Sequence, residues 1–107
     1  MINLSPTELA KFLSDPKAKK FLLLDVREPW EFEICHIEGS QLIPMNSIPE
    51  KMGELDKARP IVCICHHGMR SWEVASFLEA QGFTQIINLT GGVDAWAQEV
   101  DSTMPTY

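Results

Sequence analysis

The sequence predicts an α/β fold with an open, mainly parallel central sheet flanked by helices on both faces. Short apolar runs alternate with segments of helical periodicity along the 107 residues. Residues 21–26 are apolar at consecutive positions up to Asp25, a pattern typical of a strand covered on both faces. The connections between these segments are short, which favours parallel strands joined by helical crossovers.

Cap and breaker residues delimit the elements of the N-terminal half. Ser5-Pro6-Thr7-Glu8 is a capping box with proline in the first helical turn, which is a strong helix-start signal. Pro44 stops a short strand, and Gly53 ends a short helix. The predicted elements are strand 2–4, helix 6–13, strand 21–26, helix 28–34, strand 41–43 and helix 47–52.

The C-terminal half continues the alternation on both sides of a cysteine loop. Residues 60–64 predict a buried strand, and the apolar positions of residues 71–81 have helical spacing that ends at Gly82. The predicted elements are strand 60–64, helix 71–81, strand 85–89, helix 93–99 and a polar tail over 101–107. Trp30, Trp72 and Trp96 lie in or beside helical apolar patterns, so we expect them to be packing residues rather than a cage for substrate.

Length, charge and cysteine usage restrict the class of protein. A chain of 107 residues is expected to form one domain over residues 1–107 without disulfides. Three cysteines without the spacing of a disulfide framework favour a reducing compartment. A net charge of −6 disfavours nucleic acid and anionic membranes as partners. We expect a cytoplasmic protein that binds neither, in which Lys17, Lys19 and Lys20 belong to a solvated loop.

Cys65 is the candidate nucleophile of the chain. It stands where a buried strand enters a short basic loop that opens a helix. The thiolate is the reactive form of cysteine, and the unpaired N–H groups and positive dipole of a helix N-terminus stabilise it. His66, His67 and Arg70 add cationic or hydrogen-bonding groups, while Gly68 permits a tight turn around the sulfur.

Three ordered motifs resemble those of the single-domain rhodaneses. The first is Asp25-Val26-Arg27-Glu28 with Glu31-Phe32, His36-Ile37-Glu38-Gly39-Ser40 and Ile43-Pro44. The second is Cys65-His66-His67-Gly68-Met69-Arg70-Ser71, and the third is Gly91-Gly92-Val93-Asp94-Ala95-Trp96 with Pro105 near the end. The resemblance implies a rhodanese-like fold and a sulfurtransferase in which Cys65 carries a persulfide. Cys35 departs from the family pattern, which usually has glycine at that position.

The mechanism implied by this resemblance has two steps. Cys65 takes a sulfane sulfur from a small donor such as thiosulfate and passes it to cyanide or a thiol. Backbone N–H groups of residues 66–70 are predicted to converge on the sulfur, and Arg70 to attract and orient an anionic donor. Met69 completes the loop as exposed apolar surface. No metal or organic cofactor is needed.

Other side chains at the predicted site have structural interpretations. Asp25 and Arg27 are expected to form a hydrogen-bonded pair that supports the neighbouring loops, and Ser71 is also assigned to structural support. Cys63 is expected to be a small core residue, because a ligand set compressed into residues 63–67 cannot easily surround a zinc ion. A role for Cys35 as a resolving thiol stays open.

Two alternative functions remain after this reasoning. One is a persulfide carrier or interaction module that serves a protein sulfur acceptor. The other is a cysteine phosphatase or arsenate reductase, whose loops resemble this one but carry five residues between cysteine and arginine. Four residues separate Cys65 from Arg70, and the smaller ring of amides suits a sulfur atom better than phosphate.

Overall fold

The protein contains a five-stranded sheet in which all strands are parallel. The computed structural model describes residues 1–16 and 21–107, so Lys17, Lys19 and Lys20 lie outside the described residues. The strands are β1 Ile2–Leu4, β2 Leu22–Asp25, β3 Gln41–Leu42, β4 Ile61–Ile64 and β5 Ile86–Leu89. Their order across the sheet is β1-β5-β4-β2-β3, with parallel pairing throughout. The predicted α/β fold class is therefore confirmed.

The helices begin and end close to the predicted positions. They are α1 Pro6–Leu13, α2 Pro29–Ile34, α3 Ile48–Lys51, α4 Met69–Ala80 and α5 Gly92–Glu99. The Ser5 capping box is confirmed, because Ser5 Oγ accepts from Glu8 N–H and Glu8 Oε1 accepts from Ser5 N–H. Within residues 1–16 and 21–107, none of the helices has the length and apolar composition that a membrane span requires.

Two predicted helices differ from the observed ones. The helix predicted over 47–52 is reduced to α3, with short 3₁₀ turns at Met45–Ser47 and Met52–Glu54 on either side. Helix α4 begins two residues earlier than predicted, because Gly68 adopts φ 99° at its N-cap and turns the chain into the helix at once. The first turn of α4 consequently lies against the cysteine loop.

Each face of the sheet is covered by helices and has its own hydrophobic core. One core joins alternate strand residues to α3 and α4, and the other joins the remaining strand residues to α1 and α5. Burial of each large aliphatic side chain contributes about 1.5–3 kcal/mol. The first core includes Leu24, Ile61, Cys63, Ile48, Val74 and Leu78, and the second includes Leu23, Val62, Ile64, Leu9, Val93 and Trp96.

The register of the central strands brings three connecting segments to one edge of the sheet. Asp25 pairs with Ile64, and Cys63 pairs with Asn88. The segments that follow β2, β4 and β5 therefore leave the sheet side by side at its carboxyl edge, where reactive groups of open parallel sheets collect. Cys65 is the first residue after β4 and lies between the other two segments.

The start of α5 holds the cysteine loop through backbone hydrogen bonds. Val93 N–H donates to Cys65 O at 2.9 Å, and Asp94 N–H donates to His66 O at 3.1 Å. Gly92 makes this approach possible, since its φ is 59° and a Cβ atom there would overlap Cys65 O and His66 O. Any side chain at position 92 would push the loop away from the helix.

The substitution Gly92→Ala should therefore destabilise the fold strongly. We expect a loss of about 2–4 kcal/mol in the free energy of unfolding, because the methyl group adds a steric overlap to an unfavourable positive φ. The measurement is urea unfolding followed by circular dichroism. Gly53→Ala is the matched control, because no heavy atom lies within 4 Å of a Cβ built at Gly53. Equal stability of the two variants would contradict this account.

Candidate active site

The sulfur of Cys65 lies inside the loop that joins β4 to α4. Cys65 is 1% exposed, and Gly68 N–H donates to its Sγ at 3.0 Å. The sequence predicts that the N–H groups of residues 66–70 converge on this sulfur. Among the described residues, the N–H of Gly68 forms such a hydrogen bond. A backbone N–H directed at Sγ stabilises negative charge on that atom.

A chain of buried polar side chains continues from Sγ into the sheet. Sγ lies 3.3 Å from Ser71 Oγ, and the Ser71 hydroxyl donates to Asn88 Oδ1 at 2.6 Å. Asn88 Nδ2 in turn donates to Asn3 Oδ1 at 3.2 Å and to Gly68 O at 3.4 Å. The sequence assigns Ser71 to structural support but does not identify Asn88 as part of the site. The signal for Asn88 was a single polar residue inside the apolar strand 86–89.

Arg70 is held by a bidentate ion pair with Glu31 of α2. Its Nη1 and Nη2 donate to Glu31 Oε2 and Oε1 at 2.7 and 2.8 Å. The hydrogen bond from Arg70 lowers the pKa of Glu31 from 4.5 to about 2, against the opposing effect of burial. Glu31 therefore stays ionised, and it fixes the position of the guanidinium beside the cysteine loop. This pair is not predictable from the sequence spacing.

A second ion pair joins Asp25, the last residue of β2, to Arg27. Arg27 is fully buried, and its Nε and Nη2 donate to the two Asp25 carboxylate oxygens at 2.9 and 2.7 Å. Arg27 Nη2 also donates to Cys35 O at 2.7 Å. Because the arginine donates to the backbone after α2 as well as to β2, the pair links these two segments. At Cys35 the chain is extended, with φ −163°, so a residue other than glycine fits there without strain.

Tyr107 connects the two ion pairs and closes one side of the loop. Its hydroxyl accepts from Arg27 Nη1 at 2.8 Å and donates to Glu31 Oε1 at 2.9 Å. Burial raises the pKa of Tyr107 to about 12, so the phenol keeps the proton that it donates. The prediction of a polar tail over 101–107 was wrong at this end, because Met104 and Tyr107 pack against the second core.

The two histidines of the loop have different surroundings. The His66 ring stacks on Tyr107, with centroids 3.9 Å apart and an angle of 8° between the planes. Burial lowers the pKa of His66, and within the described part of the chain its Nε2 has no hydrogen-bond partner. His67 is exposed, with Nδ1 3.8 Å from Asp94 Oδ2. His66 thus forms part of the wall beside Cys65, while His67 faces the solvent.

The remaining cysteines are buried thiols away from the loop surface. All three cysteines are free of disulfides. Cys63 belongs to the first core, and burial raises its pKa to about 12, with a further contribution from the charge of Cys65. Cys35 Sγ lies 3.9 Å from Arg27 Nη1. Over residues 1–16 and 21–107, no group of three or more His, Cys, Asp or Glu side chains could hold a metal ion.

Apolar side chains lie exposed around the site. Met69 is 77% exposed, in agreement with the expectation of apolar surface at the loop. Of the three tryptophans expected to be packing residues, Trp96 is buried, whereas Trp30 and Trp72 are both more than half exposed. Helix α4 buries Ser71, Val74, Ala75 and Leu78, so the side chain at position 72 lies on its outer surface.

The fold and the cysteine loop together define an open α/β domain with a candidate nucleophile at the carboxyl edge of a parallel sheet. The rhodanese-like domain family matches residues 5–99 of the chain. The chain therefore belongs to the rhodanese-like family, as its three motifs predicted.

Relatives of the chain include proteins named as sulfurtransferases. It is 37% identical over 106 residues to the probable adenylyltransferase/sulfurtransferase MoeZ of Mycobacterium tuberculosis, covering 97% of this chain but only 26% of that protein. It is 34% identical to the thiosulfate sulfurtransferase GlpE of Pseudomonas fluorescens, covering 85% of this chain and 81% of GlpE. A crystal structure of a rhodanese-like domain protein from Staphylococcus aureus has a TM-score of 0.83 at 30% identity and covers 100% of this chain and 99% of that one.

The stability that the ion pair between Glu31 and Arg70 contributes should be lost in acid, when Glu31 becomes protonated. A lowered pKa contributes stability that is present above the ordinary value of 4.5 and is lost as the pH falls towards about 2. At about 1.4 kcal/mol for each unit, the loss amounts to about 3 kcal/mol. Urea unfolding at about pH 5 and about pH 2 should reveal this loss in the native protein but not in Glu31→Gln. The same pH dependence in both proteins would exclude Glu31 as its source.

Proposed function

We propose that the protein is a sulfurtransferase that moves a sulfane sulfur from a donor to a thiophilic acceptor through a persulfide on Cys65. The observation that carries the proposal is the hydrogen bond from Gly68 N–H to Cys65 Sγ at the start of α4. The same amide can stabilise the thiolate and, after transfer, the anionic persulfide. Membership of the rhodanese-like family and the similarity to GlpE support this chemistry.

Each half of the proposed reaction is a displacement at sulfur. The Cys65 thiolate attacks the outer sulfur of the donor, forms a new S–S bond and breaks the donor's own bond to that sulfur. The remainder of the donor leaves with the electron pair, as sulfite if the donor is thiosulfate. The acceptor then attacks the outer sulfur of the persulfide and regenerates the thiolate, giving thiocyanate from cyanide or a new persulfide from a thiol. No oxidant or reductant is consumed.

The other loop residues are proposed to hold the reacting sulfur in place. Ser71 offers a hydroxyl oxygen 3.3 Å from Sγ, and the stacked His66 ring limits access from the side of Tyr107. The ion pairs of Arg70 and Arg27 support the loop from α2 and β2. No proton transfer by His66 or His67 is needed once Cys65 is ionised.

A protein acceptor is the second candidate function. The exposed Met69 and Trp72 are three residues apart in the first turn of α4, so they lie on one surface next to the cysteine loop. Exposed apolar side chains of this size favour contact with a macromolecule. This candidate is tested by loading Cys65 with sulfur and comparing transfer to cyanide, to a small thiol and to a sulfur-acceptor protein. Faster transfer to the protein would favour a carrier.

Replacement of the nucleophile should abolish the reaction. We expect Cys65→Ser to form no persulfide and no thiocyanate, because a serine hydroxyl cannot take up sulfane sulfur. Intact-mass analysis after incubation with thiosulfate, together with thiocyanate formation from cyanide, is the measurement. Cys63→Ala and Cys35→Ala are matched controls that should retain most of the activity. Turnover by folded Cys65→Ser would refute the mechanism.

Phosphate chemistry should be absent. The four-residue interval between Cys65 and Arg70 leaves few amides to surround a tetrahedral oxyanion, and Arg70 is already bound to Glu31. We expect no Cys65-dependent hydrolysis of p-nitrophenyl phosphate and no reduction of arsenate. Insertion of one glycine between Gly68 and Met69 should lower thiosulfate turnover by displacing the amide that contacts Sγ. Efficient phosphate hydrolysis by the native chain would overturn the assignment.

A further inference from the structure

The guanidinium of Arg70 is not available as an independent positive charge. Both of its terminal nitrogens donate to Glu31, whose side chain is only 5% exposed. Glu31 is itself held by Glu28 N–H at 2.9 Å and by the Tyr107 hydroxyl at 2.9 Å. The carboxylate therefore cannot swing aside without losing four hydrogen bonds, and Arg70 stays paired with it.

The second arginine near the loop is compensated in the same way. Arg27 is paired with Asp25 at 2.7 Å, and His67 faces the carboxylate of Asp94 at 3.8 Å. Burial lowers the pKa of His66, which favours the neutral imidazole. Among the described residues of this site, each arginine thus has a carboxylate partner. The backbone N–H of Gly68, which donates to Sγ, is by contrast a source of positive potential without a carboxylate partner.

This charge balance affects the attraction of two classes of sulfane-sulfur donor to the site in different ways. Thiosulfate is a dianion, whereas the persulfide of a simple thiol carries one negative charge on a short organic group. A dianion approaching a site without a net positive side chain, on a protein of net charge −6, meets little attraction. An organic group, by contrast, can contact the exposed side chains of Met69 and Trp72 beside the loop.

We infer that Glu31 sets the donor specificity of this site, and that the preferred donor is a singly charged persulfide of an organic thiol rather than thiosulfate. The inference rests on the proposed persulfide chemistry of Cys65. The sequence predicts that the charge of Arg70 attracts an anionic donor. In this inference Arg70 does not do so, because Glu31 neutralises its charge. Glu31 is here a specificity-determining residue that acts through Arg70.

The transfer from such a donor is balanced without a further reactant. The Cys65 thiolate attacks the outer sulfur of the persulfide, the S–S bond of the donor breaks, and the organic thiolate leaves with the electron pair. One S–S bond is lost and one is formed, and the total charge is unchanged. The acceptor step is the same for either donor.

The experiment compares two donors on the native protein and on two variants. The donors are thiosulfate and the persulfide of 2-mercaptoethanol, and the measurement is the initial rate of sulfur gain on Cys65 by intact-mass analysis. Glu31→Gln leaves Arg70 without a charged partner, so the initial rate of sulfur gain from thiosulfate relative to that from the persulfide should rise about fivefold. Glu33→Gln is the matched control, because Glu33 lies on the same helix but is exposed. It should leave the ratio unchanged.

A second variant and a salt series on the native protein test the inference in case Glu31→Gln folds poorly. The double variant Glu31→Gln/Arg70→Gln removes both charges and should return the donor ratio to its native value. In the native protein, raising the salt concentration from about 20 mM to about 300 mM should not lower the rate with thiosulfate, since no uncompensated cation is screened. A several-fold fall with salt would show that Arg70 attracts the donor.

The outcomes separate this inference from the proposed function. If neither donor adds sulfur to Cys65, the proposed function itself fails. If both donors add sulfur but thiosulfate is the better one, or if Glu31→Gln leaves the donor ratio unchanged, the inference on donor specificity is overturned while the proposed function stands. A raised ratio in Glu31→Gln, restored in the double variant, supports it.

Discussion

The contact between the start of α5 and the cysteine loop is the constraint on which the rest of the site depends. Two backbone hydrogen bonds from Val93 and Asp94 fix the carbonyls of Cys65 and His66, and they form only because Gly92 has no side chain. With those carbonyls turned towards α5, the chain can reverse at Gly68 and direct its N–H at Sγ. The geometry of the nucleophile therefore originates in the neighbouring strand-to-helix connection, and parallel pairing of β4 with β5 brings the two connections together.

A network of charged side chains supports the opposite side of the same loop. Asp25 and Glu31 each bind an arginine, and the Tyr107 hydroxyl bridges the two pairs by accepting from Arg27 and donating to Glu31. Removal of one partner from such a buried network leaves a charge without compensation, which costs more than the pair itself contributes. The same network therefore joins three properties of the protein: the position of the loop, its stability in acid and the charge that a donor meets.

The sequence was sufficient to predict local features but not contacts between distant segments. The capping box at Ser5, the strand that delivers Cys65 and the turn at Gly68 each depend on residues a few positions apart, so spacing alone predicts them. The pair of Arg70 with Glu31 spans 39 positions, and the bond from Tyr107 to Glu31 spans 76. Such pairs depend on which helix packs over which strand. For the same reason the helical spacing around Trp72 does not show which side of α4 is buried, and the helix buries Ser71 and Val74 while Trp72 stays exposed.

The chain of side chains from Cys65 through Ser71 to Asn88 has a consequence for the ionisation of the nucleophile. The Ser71 hydroxyl has one hydrogen atom, and in the thiol form it is directed to Asn88 Oδ1 while the sulfur donates to Ser71 Oγ. Once the sulfur has lost its proton, rotation about the Ser71 Cβ–Oγ bond can turn that hydrogen towards the sulfur. Rotation of this one buried hydroxyl can therefore fit the hydrogen-bond network to either protonation state of the nucleophile.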